Sequence, residues 1–231
     1  MNSTRPRLAP RKLPIQARST HTVDALHAAA VQVLIREGLL RCTTTRIAAR
    51  AGTSVGSLYQ YYPNRDALLR AVLERHIGAI AAAVEAACRR HQGSSLAEMA
   101  AAIVRAYLAA KLRDPAESRA LYAIADERDG ASIAARGRER IAAALAEMLG
   151  SAADAQFEDI ETVSAVVAAV LTGSVLIALR GPAADGLIER LGTELVTLMT
   201  AYLRASAKSN PKGVTMPETR PRRGRRSPPP P

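Results

Sequence analysis

Tryptophan is absent from this 231-residue chain, phenylalanine occurs once, and aromatic residues make up only 3%. Period-two alternation of apolar and polar residues is also missing, so the chain has little from which to build a sheet. An all-α protein is the expectation. Only two cysteines are present, Cys42 and Cys88. They are too few for a disulfide framework and suit a reducing, cytoplasmic compartment. The first residues are basic and proline-rich with no apolar run, so no secretory signal is expected. The longest apolar stretch, Val163 to Leu179, includes Thr172, Gly173 and Ser174 and is a little short for a bilayer. It reads as a core helix, with no membrane partner. No glycine-rich phosphate loop, nucleophile elbow or zinc-protease signature occurs, so neither catalysis nor a cofactor is expected. Cys88 and His91 stand three apart on a helix, but no second pair completes a metal site. Asp126, Glu127 and Asp129, with Arg128 among them, read as a solvated helix end.

Positive charge, in contrast, is plentiful. The formal net charge of +11 points to a polyanionic partner. Much of the excess lies in the two ends of the chain. Residues 1–19 mix Arg5, Arg7, Arg11, Lys12 and Arg18 with Pro6, Pro10 and Pro14, which reads as a disordered basic arm. Such an arm either follows phosphates and the minor groove, with Arg18 best placed, or is merely solvated. Residues 207–231, with Arg220, Arg222, Arg223, Arg225 and Arg226 before a proline run, read as a disordered tail.

Between these ends the apolar residues recur at helical spacing. Val23, Leu26, Ala30, Val33 and Leu34 predict a first helix from about Thr22 to Glu37, stopped by Gly38. His21 and His27 on it are expected at the surface or on a phosphate-facing side. Then comes TTTRIAARAGTSVGSLYQYYPNRDALL, from Thr43 to Leu69. Thr44 can cap a short helix carrying Ile47, Ala48 and Ala51, and Gly52 supplies a positive-φ turn. Ser54 can cap a second short helix through Val55, Leu58 and Tyr59, ended by Pro63, and Asn64 caps the next. Helix, tight turn and short helix is the arrangement that sets a second helix into the DNA major groove. Thr44 can then offer its hydroxyl and N–H to a phosphate. Val55 can meet a thymine methyl and Ser57 a base or phosphate, while Gly56 permits close approach. Tyr59 and Tyr61 carry hydroxyls suited to phosphates or simply pack; Tyr62 can pack inward; Arg65 reads as a phosphate clamp.

The pattern T-x-R-I-A-x-x-A-G-x-S-x-G-x-L-Y-x-Y-Y-x-N-R-x-x-L-L, from Thr44 to Leu69, resembles the DNA-binding head of the tetracycline-repressor (TetR) family. The resemblance covers roughly residues 20 to 75. It implies DNA contacts at Thr44, Thr45, Val55, Gly56, Ser57, Tyr59, Tyr61 and Arg65. It also implies an N-terminal three-helix head, residues 20–65, joined by a long helix to a helical effector-binding and dimerisation body, residues 66–206.

Within that body, helices are expected from Asn64 to about Arg90, and from Leu96 to about Leu112 behind a Ser95–Glu98 capping box. Others follow from Pro115 to about Asp126 and from about Ala131 to Leu149. Two apolar helices, roughly Phe157–Arg180 and Ala184–Ala205, close the chain. By resemblance, these two form a four-helix interface with a second copy. Dimerisation also has its own reason: two heads related by a two-fold read a palindrome far better than one. A small-molecule pocket is implied among the middle helices, with Met99, Ile103, Tyr107, Leu121 and Tyr122 as candidates that combine apolar bulk with hydroxyls. For each of them ordinary packing is the competing account. The expected function is a homodimeric transcriptional regulator, a repressor released from a double-stranded palindromic operator by an unknown small-molecule effector. The alternative is a basic DNA-coating or architectural protein without an effector.

Overall fold

The structure, a computed structural model, describes residues 17–181 and 184–208; the basic arm before residue 17 and the tail after 208 lie outside the described residues. Helix α1 runs over Ala17–Glu37, five residues longer at its start than expected. Past Pro14 no proline opposes helix formation, so the turn before Thr22 can join it. Gly38 leaves α1 at φ 76° into a single 3-10 turn, Leu39–Arg41. Helices α2, Thr44–Arg50, and α3, Val55–Tyr61, are separated by Gly52 at φ 67°. The long α4, Arg65–Arg90, starts from Asn64, whose side chain accepts the Ala67 N–H at 2.8 Å.

The cap of α2 is Thr43, not Thr44: its backbone is extended and its hydroxyl accepts from the Arg46 N–H. Three threonines in succession offer equivalent caps. The register that buries Ile47 and Ala48 selects the first of them.

The remaining helices are α5 (Leu96–Lys111), α6 (Pro115–Ala125), α7 (Arg128–Leu149), α8 (Ile160–Arg180) and α9 (Ala184–Ser206). The Ser95–Glu98 capping box forms reciprocally at the start of α5. At α6, Asp114 accepts the Glu117 N–H at 2.9 Å ahead of Pro115. The eighth helix, expected from about Phe157, begins at Ile160, and Gln156–Phe157 lie before it. They form β1, paired antiparallel with β2, Ala207–Lys208, which ties the end of α9 to the start of α8.

Two apolar clusters organise the chain. The body cluster joins the outer part of α4 to α5, α7, α8 and α9, with Met99, Ile103, Leu145, Met148 and Leu171 fully buried. The head cluster gathers Leu26, Ile47, Leu58 and Tyr62 around the opening turns of α4, where Leu68, Leu69, Val72 and Leu73 are buried. It does not stop at the head. Leu121 and Ile124 of α6 and Ile133 of α7 belong to the same cluster. The head is therefore packed onto the body through α6 as well as being continuous with it through α4.

Candidate nucleic-acid interface and body cavity

In α3 the apolar side turns inward through Leu58, which is fully buried, while Val55 and Tyr61 lean on the head cluster. Gly56, Tyr59 and Gln60 are left facing outward, with Tyr59 41% exposed. Their spacing of three and four places them on one helical face. Across the turn, the Tyr59 hydroxyl lies 3.3 Å from the Thr44 hydroxyl, so the start of α2 and the outward face of α3 present polar groups side by side. Thr45 is exposed next to them. Ser57 is half-buried and occupied at the cap, where its N–H donates to the Ser54 hydroxyl at 3.0 Å and its own hydroxyl lies 3.0 Å from the same oxygen. Arg65 donates through Nε to Asp66 at 2.8 Å. Arg18 falls in the first turn of α1, but its side chain lies outside the described residues.

One side chain stands elsewhere than expected, and another was passed over. His27 is buried, not on a surface: its Nε2 lies 2.7 Å from the Tyr62 hydroxyl. Burial, with Arg75 nearby, lowers its pKa to about 4 and holds the ring neutral. His21 is exposed. Gln60 was missed although it lies four residues after the exposed Gly56 and next to the exposed Tyr59, on the outward stripe; its amide is a natural partner for adenine.

The body holds a cavity of about 480 Å³ between α4, α5, α6, α7 and α8. This lies within the usual size range of small-molecule sites. Of the five candidates, Tyr107, Leu121 and Tyr122 line it. Met99 and Ile103 do not; both are fully buried in the body cluster. One wall is made of small residues, including Ala134, Gly137, Ala169 and Gly173. At Gly137 an added Cβ would collide with Ile77, so glycine permits α7 to approach α4 there.

The polar end of the cavity is formed by Lys111 and His76, neither of which was singled out from the sequence. Lys111 is only 6% exposed. Its Nζ lies 4.4 Å from the centre of the Tyr122 ring and donates to His76 Nε2 at 3.4 Å. On its other side His76 Nδ1 lies 3.2 Å from the Glu117 carboxylate. Burial, with Lys111 and Arg113 nearby, lowers the His76 pKa to about 4, so the neutral ring can donate to Glu117 and accept from Lys111. Elsewhere, His91 Nδ1 lies 2.9 Å from the Ala87 carbonyl and Cys88 is buried, its thiol pushed up to about 11 mainly by desolvation. No group of three metal-ligating side chains occurs among the described residues.

A helix-turn-helix head with an exposed face on its second helix, rooted in a helical body that holds a cavity, defines a DNA-binding transcriptional regulator. Residues 26–72 match the family profile described as bacterial regulatory proteins, tetR family, and residues 95–203 match the tetracyclin repressor-like C-terminal domain. The chain belongs to the TetR family. Over 56 residues it is 43% identical to the HTH-type transcriptional repressor DrrR1 of Streptomyces coeruleorubidus, a segment covering 24% of this chain and 21% of that protein. Over 61 residues it is 33% identical to the nucleoid occlusion factor SlmA of Haemophilus ducreyi, covering 26% and 30% respectively. Each match thus spans less than a third of the relative. The fold is shared with the solved SmeT–triclosan complex at a TM-score of 0.63 and 20% identity, over 89% of this chain and 99% of that one.

Proposed function

We propose that the protein is a cytoplasmic, homodimeric transcriptional repressor that grips a palindromic operator and releases it when a small molecule enters the body cavity. The observation that carries this reading is the outward face of α3, where Gly56, Tyr59 and Gln60 project beside Thr44 from a tightly packed head. Helix α3 would enter the major groove, with Gln60 reading a base edge and Tyr59, Thr44, Thr45 and Arg65 holding phosphates. Val55, Ser57 and Tyr61 would contribute mainly by fixing the angle of the helix. The basic arm, together with Arg18 in the first turn of α1, would add phosphate contacts. The regulator reading divides the chain into the arm, a head over 20–65, a body over 66–206 and the tail.

The head and the cavity share a wall. Leu121 belongs to the head cluster and also lines the cavity, as does Leu73 of α4. A ligand that prefers a slightly different placing of α4 and α6 would move the heads and so favour a state that fits successive major grooves less well.

Dimerisation is supported by α8 and α9. Helix α8 is apolar enough to cross a membrane by length and composition, with a mean hydropathy of 2.3, yet only 44% of that window is buried. Val166 and Ile177 lie eleven residues apart, about 20° around the helix, so they share one outward stripe. Ile177 is 70% exposed, and Leu198 on α9 is 51% exposed. A second copy covering this stripe accounts for it in a chain whose partner is a duplex with two-fold symmetry.

The test is operator selection from random duplex DNA, followed by binding measured by fluorescence anisotropy. Tyr59→Ala and Gln60→Ala should each weaken the selected site roughly tenfold to a hundredfold, about 1–3 kcal/mol, with thermal melting unchanged. Equal affinity in both variants counts against the assignment. The architectural reading draws on the match to a nucleoid occlusion factor and on the net charge of +11. It requires uniform protection of long DNA with steep loss in salt, in place of one short footprint.

A further inference from the structure

The cavity carries more chemical information than its size. Its charged lining residues are Lys111, Arg138 and Asp126. The single carboxylate is already engaged, because Arg180 donates to Asp126 at 2.5 Å. Lys111 has no carboxylate within ion-pair distance among the described residues. Its neighbours are a neutral imidazole nitrogen and the face of Tyr122. Glu117, the nearest acid of that cluster, is turned to the far side of His76. Arg138, exposed on α7, likewise has no carboxylate partner among the described residues. A buried ammonium held only by a ring face and an imidazole is poorly compensated for its lost hydration. Apart from His76 and Thr172, whose hydroxyl donates to the Ala168 carbonyl at 2.9 Å, the rest of the lining is aliphatic, aromatic or glycine, from Ile77 and Ile80 on α4 to Leu176 on α8.

We propose that the effector is an apolar molecule bearing one anionic group, a carboxylate for preference, which pairs with Lys111 at the polar end while its hydrocarbon portion fills the alanine- and glycine-walled space. The inference rests on the effector reading of this cavity and names the ligand class it selects. The anion completes what the protein leaves open: it replaces the water lost by the ammonium and supplies a full opposite charge. Tyr122 keeps Lys111 in place by stacking beneath it, and His76, braced by Glu117, holds it from the side, so the ammonium is already aimed before the ligand arrives. Burial lowers the Lys111 pKa to about 8, which leaves it mostly charged at neutral pH and gives an arriving anion a cation to stabilise.

The experiment uses the full chain and matched acid–alcohol pairs: decanoate with decanol, 4-butylbenzoate with 4-butylbenzyl alcohol, and naphthalene-2-acetate with 2-naphthaleneethanol. Binding is measured by calorimetry, and release from the selected operator by anisotropy. At least one acid should bind the wild type roughly tenfold or more tightly than its alcohol. Lys111→Met should abolish that preference and leave the alcohol within about twofold. Lys111→Gln, which retains a donor toward His76, serves as the second variant should the first not fold. Equal binding of acid and alcohol in every pair, or no acid bound at all, overturns the anionic site. Acids that bind through Lys111 without releasing the operator support the site and count against its role as an effector pocket. Release by the alcohols as readily as by the acids overturns the anionic site and leaves the effector reading standing.

Discussion

Buried neutral histidines make this protein sensitive to acid, and the two responsible residues sit in different clusters. His27 and His76 both have pKa values lowered to about 4, chiefly by desolvation. In the unfolded chain each returns to about 6.5, so between pH 6.5 and 4 the unfolded state binds more protons than the folded one. The histidine contribution to stability is therefore constant above about pH 6.5, falls as the pH drops through that window, and levels off below about 4. Urea midpoints measured from pH 8 to 4.5 should stay flat and then decline; a midpoint unchanged from 7 to 5 contradicts the burial of both rings. Neither residue could be read from its position. The partner of His27 lies 35 residues away on the far side of the recognition helix. Lys111 is the sharper case. A lysine in the last turn of a helix is where a cation ordinarily meets the helix dipole in water, and only the packing of α4 and α6 over that turn buries it. Local rules gave its charge; tertiary contacts gave its meaning.

Elements were more legible than residues because their boundaries are written in short-range chemistry. Ser54, Asn64, Ser95 with Glu98, and Asp114 with Pro115 all cap the helices they announce. What escaped was decided at longer range: the β1–β2 pairing joins residues about fifty apart, and the choice of Thr43 over Thr44 follows from which register buries Ile47. Helix α3 provides the prediction proper to this scale. An added Cβ at Gly56 meets nothing closer than the Ser54 hydroxyl at 3.7 Å, an ordinary contact. Nothing inside the protein demands glycine there. Gly56 is the second residue of α3, and with helical backbone there Gly56→Ala should stabilise the fold by up to about 0.5–1 kcal/mol. If the glycine serves close approach to the groove, the same change should weaken operator binding by roughly tenfold, about 1.4 kcal/mol. Opposite signs in a thermal melt and a binding titration are the expected result, and a variant more stable with unaltered affinity removes α3 from the groove.

At the scale of the whole molecule, one small head cannot discriminate an operator, and the apolar stripe on α8 and α9 is where a second copy would provide the other. Exposed isoleucine and leucine in mid-helix, on the two helices farthest along the chain from the head, cost nothing in solubility only if they are covered. Introducing carboxylates there should oppose the pairing directly, since each would be desolvated without a partner. Val166 is 36% exposed on the same stripe and is left unchanged as the least exposed of the three. The double variant Ile177→Asp with Leu198→Asp changes only exposed positions, so each subunit should keep its helical content and its melting should lose only the share that assembly contributes. Sedimentation equilibrium should give a dimer for the wild type at micromolar concentration and a monomer for the variant. Operator affinity should fall by roughly a hundredfold or more as the two half-sites cease to be bound together, while weak non-specific binding persists through the basic surface. A wild-type chain that sediments as a monomer, or a variant monomer that binds the full palindrome as tightly as before, would remove the two-fold from the account and leave the single head to explain specificity alone.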